Sequence, residues 1–240
     1  MRESREPGRL LAVSRAKEAA GRTAADAVRD GMTVGLGTGS TVHFTLERLA
    51  ERIRAERLAV RGVPTSLDTE RKARGLGIPL VSLDEVESID LTIDGADEID
   101  ARFDMIKGGG GALLREKVVA SLSKRELIVV DRAKLVERLG VRFALPVEVV
   151  PFARAAVARR IARLGAAWTL RQREGQVART DNGNEILDCR FPGGIADARA
   201  LERALDEIPG VVESGLFVGL AHRLVIGDED GRVETREPAP

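Results

Sequence analysis

Three carboxylate side chains stand within five residues of one another, directly after a largely apolar segment. Asp94, Asp97 and Glu98 follow residues 89–93. Carboxylates this close repel one another, and the repulsion can raise the pKa of one of them into the range that acid/base catalysis uses. A solvated acidic loop, a helix start or a metal site would use the same residues, although the spacing fails the EF-hand pattern and no histidine lies nearby. The residues alone leave catalytic and structural roles open.

A run of four glycines, residues 108–111, separates Lys107 from a predicted helix that contains Glu116. Consecutive glycines lose much conformational entropy on folding, so a backbone that must approach another group closely is a physical reason for them. A flexible linker is the alternative, but a linker does not usually join an acidic strand end to a strong helix over so few residues. We therefore expect Lys107 and Glu116 to face one pocket across this glycine run.

Glycines also alternate with hydroxyl residues in the sequence GLGTGST at residues 35–41, the glycine turn. Glycines allow close approach to a ligand, and the N–H groups of a helix start favour an anion such as phosphate. Thr38, Ser40 and Thr41 add hydroxyl donors. Ser40 takes the place of the third glycine in a dinucleotide-binding motif, and the phosphate-binding P-loop pattern is absent. A tight strand-to-helix turn with a Ser/Thr cap is the alternative, but the combination favours phosphate binding.

Apolar patterning predicts the elements that position these motifs. Short apolar runs predict strands, and amphipathic spacing predicts helices between them. The strands are 32–36, 59–63, 89–93 and 127–130, and the helices are 11–29, 41–54, 66–75 and 113–122. Strands that alternate with helices predict a parallel sheet, in which ligands bind beyond the carboxyl ends of the strands. The segments 35–41, 94–98 and 131–134 each follow such a strand end.

The pattern changes beyond residue 140. Strands at 145–150, 167–171, 185–190 and near 211 alternate with helices at 152–164 and 195–208 in the order β-α-β-β-α-β. This order predicts a small α+β domain of the split β-α-β type. We therefore predict an α/β chain. A Rossmann-like parallel-sheet domain takes residues 1–140 and 215–240, and a smaller α+β (ferredoxin-like) domain takes 141–214 and offers possible oligomer contacts. Residues 1–10 are expected to form a loose tail.

Composition excludes several classes of partner. The 38 Lys and Arg residues balance 38 Asp and Glu residues, so no basic field attracts nucleic acid or an acidic membrane. Tyrosine is absent and one Trp is present, which leaves little for base stacking. The arginine-rich stretch 154–173 is interpreted as the solvated face of a helix, and Cys189 as a small core residue. Without a signal peptide or a long apolar run, the expected location is cytoplasmic.

The three motifs, in this order and spacing, resemble type A ribose-5-phosphate isomerase. The matching segments are GLGTGST at 35–41, DGADEID at 94–100 and KGGGGALLREK at 107–117. The likeness continues at 131–134, 145–149, 188–191 and 208–211. The resemblance spans residues from about 17 to 231, but it is loose after residue 218. The first ten residues form an extension without a counterpart in it.

The resemblance implies a reaction, the interconversion of ribose 5-phosphate and ribulose 5-phosphate, without a metal or an organic cofactor. Glu116 would be the general base that carries a proton between C1 and C2 through a cis-enediolate. Lys107 would stabilise the charge that develops on the enediolate oxygen. Asp94 would assist ring opening and handle hydroxyl protons, and Asp97 would orient Lys107 and the sugar hydroxyls. A base, a cation and an anion cradle are the groups that enolisation of a phosphosugar requires.

The resemblance also implies a binding site and an assembly. Ser40, Thr41, Lys134 and Lys17 would hold the phosphate. The full set of expected substrate-binding residues is Lys17, Thr38, Gly39, Ser40, Thr41, Asp94, Gly95, Ala96, Asp97, Lys107, Gly108, Gly109, Gly110 and Lys134. A homodimer or a homotetramer is expected, with a small phosphosugar as the substrate.

Other phosphosugar proteins are the competing hypotheses. An amino-sugar phosphate deaminase would need a catalytic histidine near its acids, and residues 94–116 contain none; a phosphosugar lactonase is a related alternative. A non-catalytic sugar-phosphate sensor would need an attached DNA-binding segment, for which ten N-terminal residues are too few. A coenzyme A transferase with a glutamate nucleophile is a more distant alternative.

Overall fold

The structure is a computed structural model that describes residues 7–238. A loose tail was predicted for residues 1–10. Residues 1–6 lie outside the described residues, and residues 7–10 belong to the first helix, which begins at Pro7. In chain order the elements are α1 (Pro7–Ala25), β1 (Thr33–Leu36), α2 (Ser40–Glu56), β2 (Arg61–Pro64), α3 (Leu67–Gly75), β3 (Leu91–Asp94), β4 (Glu98–Ile99), β5 (Met105–Ile106), α4 (Leu113–Ser121), β6 (Glu126–Asp131), β7 (Leu145–Val149), α5 (Arg154–Arg163), β8 (Ala167–Leu170), β9 (Gln172–Arg173), β10 (Gln176–Val177), β11 (Glu185–Arg190), α6 (Ala198–Asp206), β12 (Val211–Ser214), β13 (Leu216–Phe217), β14 (Arg223–Gly227) and β15 (Val233–Arg236). Short 3-10 turns occupy Leu83–Glu85, Arg132–Lys134 and Pro151–Ala153.

The chain divides into two compact units. The parallel-sheet unit contains the chain up to Gly95, residues Val119–Lys134 and the chain from Ala221 onward. The antiparallel unit contains Ala96–Val118 and Leu135–Leu220. The predicted domains have other boundaries: residues 1–140 with 215–240 for the first, and 141–214 for the second. Those domains stay a prediction.

A six-stranded sheet forms the parallel-sheet unit, in the order β15-β14-β6-β3-β1-β2. The pairs β1–β2, β1–β3, β3–β6 and β6–β14 are parallel, and β15 pairs antiparallel with β14. The strands β1, β3 and β6 are buried along their whole length, as expected for a parallel sheet with helical crossovers. The predicted Rossmann-like architecture is confirmed.

Helices α1 and α2 supply the apolar side chains that pack with this sheet. Ala20 and Ala24 of α1 join Leu46 and Leu49 of α2 in one buried cluster with the strands. Small residues allow a close approach of the two helices, and a Cβ on Gly21 would lie 2.6 Å from the Thr41 carbonyl oxygen. The first helix ends earlier than the predicted residue 29.

The guanidinium of Arg52, which lies on α2, contacts the carboxyl end of α1. Its Nη1 donates to the carbonyl oxygens of Ala25, at 2.7 Å, and Val28, at 3.0 Å. The last carbonyls of a helix lack partners within the helix, and this buried arginine binds that of Ala25, the last residue of α1, together with that of Val28 in the segment that follows.

The antiparallel unit contains a four-stranded sheet in the order β12-β7-β11-β8, with α5 and α6 as its helices. The pairings are antiparallel, and the element order is that of a split β-α-β domain, so the predicted ferredoxin-like architecture is confirmed. Its core packs residues such as Leu145, Val157, Leu187 and Leu205. A three-stranded sheet, β13-β5-β4, and the hairpin of β9 and β10 were not predicted.

Within residues 7–238, no helix combines the length and the apolar character that crossing a membrane requires.

Candidate active site

The glycine turn brings the end of β1 against the end of β3. The Gly37 N–H donates to the Ile93 carbonyl oxygen at 3.0 Å. A Cβ on Gly37 would lie 2.2 Å from Oδ1 of Asp94, so the position has no room for a side chain. Gly39 has a φ of 122°, a conformation that glycine adopts readily and other residues do not. Both glycines are therefore required by the geometry of the turn.

Asp94 is fully buried at the carboxyl end of β3. Its Oδ1 accepts hydrogen bonds from the N–H groups of Thr38, at 3.0 Å, and Gly95, at 2.7 Å. Hydrogen bonds from N–H groups to a carboxylate are stronger than those between neutral groups. The structure thus brings Asp94 together with the glycine turn, two segments that the sequence places more than fifty residues apart.

A cluster of hydroxyl groups surrounds the side chain of Thr38. Its Oγ1 lies 2.9 Å from Oγ1 of Thr65, 3.1 Å from Oγ1 of Thr69 and donates to Oγ of Ser66 at 2.8 Å. The Thr69 hydroxyl also donates to the Gly37 carbonyl oxygen at 2.8 Å. Ser66 also caps α3, because its side chain accepts a hydrogen bond from the Thr69 N–H, and the sequence gave no signal for this hydroxyl cluster.

Lys17 and Ser40, both expected to bind phosphate, are in contact. The Lys17 Nζ donates to the Ser40 Oγ at 2.9 Å, where α2 begins. Thr41 is the next residue and is buried. A cation beside the N–H groups of a helix start is an arrangement that favours an anion. Lys134 is half-buried in the turn Arg132–Lys134.

Lys107 and Glu116, in the antiparallel unit, form a buried ion pair. The Lys107 Nζ lies 3.3 Å from the Glu116 Oε1, and the exposed fractions of the two residues are 2% and 5%. Glu116 lies in the first turn of α4, and Lys107 follows β5. The sequence predicted that these two side chains face one pocket across the glycine run, and the structure brings them together as an ion pair. Removing one partner would take away this ion pair while the other charge stays in a buried site, which is costly.

An aromatic ring packs beside the Lys107 ammonium. The Lys107 Nζ lies 5.3 Å from the centroid of the Phe217 ring, and the Lys117 Nζ lies 5.1 Å from it. These are cation–π distances. Lys117 also pairs with Glu202 at 3.2 Å and with Glu213 at 2.6 Å. Burial raises the pKa of Glu202, and the Lys117 ammonium opposes that rise.

The glycine run is an ordered turn. The Gly109 N–H donates to the Asp97 Oδ2 at 2.7 Å, and a Cβ on Gly109 would lie 2.7 Å from the Asp97 Oδ1. Gly108 and Gly111 have φ values of 99° and 86°. The alternative of a flexible linker is therefore wrong, and Asp97 is the carboxylate that holds the run from one side.

Glu98, the third member of the acidic cluster, makes a different set of contacts. Its carboxylate is buried and accepts hydrogen bonds from the N–H groups of Gly140 at 2.6 Å, Arg142 at 2.7 Å and Phe143 at 2.6 Å. A carboxylate with three backbone donors organises the loop that carries them. Glu98 is buried in β4, so neither the solvated acidic loop nor the helix start considered from the sequence describes it.

The interpretation of residues 154–173 as one solvated helix face is wrong. The helix α5 ends at Arg163, and the chain continues into β8 and β9. Arg171 and Arg173 donate hydrogen bonds to carbonyl oxygens of the glycine run. Sequence analysis missed these contacts because arginine spacing within one segment carries no information about a partner more than sixty residues away.

The two histidines and the single cysteine of the chain have structural partners. His43 pairs with Glu47 at 3.3 Å, and the Nδ1 of His222 accepts a hydrogen bond from the Glu126 N–H at 3.1 Å. Burial raises the pKa of the Cys189 thiol to about 12, as suits a core residue. In the part of the chain that the structure describes, no three His, Cys, Asp or Glu side chains lie close enough together to hold a metal ion.

Three comparisons with known proteins point to one family. The sequence model of ribose 5-phosphate isomerase A (phosphoriboisomerase A) matches residues 61–231. The ribose-5-phosphate isomerase A of Gloeobacter violaceus is 54% identical over 93% of this chain and 97% of its own length. The ribose 5-phosphate isomerase of Plasmodium falciparum superposes with a TM-score of 0.89 at 40% identity, covering 92% of this chain and 97% of the other.

A further solved structure contains a bound ligand. It is a D-ribose-5-phosphate isomerase in complex with phospho-erythronic acid, with a TM-score of 0.88 and 36% identity. The match covers 92% of this chain and 97% of that one. That relative therefore binds a phosphorylated sugar acid.

Proposed function

Because this chain belongs to the ribose 5-phosphate isomerase A family, which interconverts ribose 5-phosphate and ribulose 5-phosphate, we propose that Glu116 carries the proton in its reaction. The buried pair of Glu116 and Lys107, 3.3 Å apart, is the observation that supports this assignment most strongly. It places a carboxylate beside an ammonium in a site where little water competes for either group.

The proton transfer follows from the chemistry of the open-chain sugar. Glu116 removes the proton from C2 of ribose 5-phosphate, which the neighbouring C1 carbonyl makes acidic. The electron pair forms the C1–C2 double bond, and the negative charge moves to the oxygen on C1, near which the Lys107 ammonium stabilises it. The C2 hydroxyl proton then passes to that oxygen. Glu116 returns its proton to C1, and the carbonyl of ribulose 5-phosphate forms at C2.

The two aspartates support the reaction in this proposal. Asp94 assists ring opening and moves hydroxyl protons, and Asp97 orients Lys107 and the sugar hydroxyls. In each aspartate, backbone hydrogen bonds to one carboxylate oxygen fix the direction of the side chain. Asp94 accepts from the N–H groups of Thr38 and Gly95, and Asp97 accepts from the Gly109 N–H. A fixed carboxylate accepts or donates a proton without first reorganising, which supports these roles.

The phosphate is bound by Ser40, Thr41, Lys17 and Lys134 in this proposal. Support comes from the contact of Lys17 with Ser40 at the start of α2 and from the phosphorylated ligand of the solved relative. The remaining proposed contacts with the sugar come from backbone and hydroxyl groups of Thr38, Gly39, Gly95, Ala96, Gly108, Gly109 and Gly110. That the two groups of residues hold opposite ends of one substrate stays a prediction.

An assay of the wild-type protein tests the proposed reaction. Purified protein is incubated with ribose 5-phosphate and a chelator in D₂O, and the product is identified by NMR. We expect ribulose 5-phosphate, with deuterium at C1 in part of the product, because a proton on a carboxylate exchanges with solvent. Absence of turnover would contradict the reaction, and deuterium at C1 would exclude a direct hydride transfer from C2 to C1.

We also propose that the protein is a cytoplasmic homodimer or homotetramer, as the resemblance implies. The antiparallel unit offers groups that an association between copies would cover. Its strand β8 lies at the edge of the sheet and carries Trp168, whose exposed fraction is 41%. Phe152, in the turn Pro151–Ala153, is fully exposed. An exposed sheet edge and large exposed apolar side chains are features that association covers.

A further inference from the structure

Arg171 connects two segments of the antiparallel unit that lie far apart in the sequence. It follows β8, and 11% of its side chain is exposed. Its Nε donates to the Asp188 Oδ2 at 2.9 Å, and its Nη2 donates to the Asp188 Oδ1, so the two groups form a fork. Its Nη1 donates to the carbonyl oxygens of Gly108, at 2.7 Å, and Gly109, at 3.3 Å. Such a fork fixes the plane of the guanidinium.

The contact between Arg171 and Gly108 fixes a particular peptide group. The Gly108 carbonyl and the Gly109 N–H belong to the same planar peptide. Arg171 holds its oxygen at 2.7 Å, and Asp97 holds its N–H at 2.7 Å. The peptide is therefore clamped at both ends, and a rotation of its plane would break both hydrogen bonds.

Glycine makes this clamp necessary. Gly108 has a φ of 99°, and a residue without a side chain reaches several other conformations at little cost. If the peptide rotated, its carbonyl would turn toward the Asp97 carboxylate, and the two negative groups would repel each other. Arg173 adds a further hydrogen bond to the run, from its Nη2 to the Gly110 carbonyl oxygen at 2.7 Å.

We propose that Arg171, oriented by Asp188, is a positioning residue for the isomerisation. It clamps the peptide between Gly108 and Gly109, and through that peptide it fixes Asp97 and the backbone that immediately follows Lys107. Arg171 itself touches neither the substrate nor the reacting atoms in this scheme. The inference rests on the proposed function, because Asp97 and Lys107 are assigned there.

Substitutions at both ends of the fork test this role. Arg171→Met removes the clamp, and Asp188→Asn is a milder change that keeps the shape of the side chain and weakens the fork. We expect kcat for ribose 5-phosphate to fall by about 10²-fold in Arg171→Met, the size of effect that a misplaced catalytic group produces. We expect inhibition by inorganic phosphate to change far less, because the proposed phosphate ligands lie elsewhere in the chain.

A matched control and a conservative variant separate positioning from stability. Arg154 also pairs with an acidic residue of this unit, Glu185, at 3.0 Å, but its side chain does not contact the glycine run. Arg154→Met is therefore the matched control. We expect it to keep the wild-type kcat. Arg171→Lys keeps the charge but has no planar fork, so it should stay closer to Arg171→Met than to the wild type.

Hydrogen exchange at the glycine run provides the direct readout. We expect the amides of residues 108–111 to exchange faster in Arg171→Met and Asp188→Asn, and at the wild-type rate in Arg154→Met. Wild-type kcat in Arg171→Met, unchanged exchange at the run, or equal losses in Arg154→Met would overturn the inference. An inactive wild-type protein would instead overturn the proposed function, and with it the role assigned to Arg171.

Discussion

At the scale of single residues, the buried pair of Lys107 and Glu116 is the feature that stability does not explain. Taking two charges out of water is costly, and a buried ion pair is often replaceable by apolar residues without loss of stability. Both side chains are nearly inaccessible, and the Lys107 ammonium also faces the Phe217 ring. A role in the proposed proton transfer supplies a reason to keep both charges in the interior.

The three clustered carboxylates show how far residue types can be interpreted from the sequence. Their closeness was visible, but their partners were not. Asp94 accepts from Thr38, Asp97 from Gly109, and Glu98 from a loop more than forty residues later. Which N–H group a carboxylate meets is decided by the packing of distant segments, so no spacing rule assigns it.

Glu98→Gln tests whether Glu98 is structural. A glutamine presents one oxygen and one NH₂ group to three N–H donors, so at least one donor loses its acceptor. We expect the free energy of unfolding, measured by urea denaturation, to fall by about 3 kcal/mol. The kcat of the folded enzyme should stay close to the wild-type value. A large loss of kcat at unchanged stability would mean that Glu98 takes part in the chemistry.

At the scale of elements, the longer periodic segments were predictable and the short ones were not. The predicted helices at 41–54 and 113–122 match α2 and α4 to within two residues at each end. The strands β4, β5 and β13 contain two residues each, too few to show a period. They became visible only through their pairing, which depends on the tertiary fold.

Gly37→Ala tests the fit between the glycine turn and Asp94. The new Cβ would lie 2.2 Å from the Asp94 Oδ1, so the carboxylate or the turn must move. We expect the protein to remain folded, with kcat lower by about 10²-fold, because Asp94 is displaced.

Gly75→Ala is the matched control for that substitution. Gly75 is the last residue of α3, and a Cβ there would meet no atom within 4 Å. We expect unchanged kcat and a free energy of unfolding higher by about 0.4–1 kcal/mol, because alanine restricts the unfolded chain. Equal activities of the two variants would contradict the proposed role of the turn.

At the scale of the whole molecule, the chain passes between two units more often than its pattern reveals. The change in pattern near residue 140 correctly indicated a second architecture. The segment Ala96–Val118 also belongs to the antiparallel unit, although its sequence continues the strand-and-helix alternation before it. Only the packing of β4 and β5 with β13 reveals this membership, because these strands are too short to be predicted.

The assembly is tested by the mass of the protein in solution. One chain has a mass of 25.9 kDa, so light scattering should give two or four times that value. Replacing the fully exposed Phe152 by serine should weaken the association if this side chain lies in the contact between copies. A single-chain mass for the wild type at micromolar concentration would contradict the proposed homo-oligomer.

In the proposed reaction, Glu116 carries the proton. Glu116→Gln keeps the size of the side chain and removes the base, so kcat for ribose 5-phosphate should fall by about 10²–10⁴-fold or more while phosphosugar binding persists. Glu207→Gln, at an exposed position of the same unit, is the matched control and should keep the wild-type kcat. Full activity in Glu116→Gln would contradict the role of Glu116 as the base.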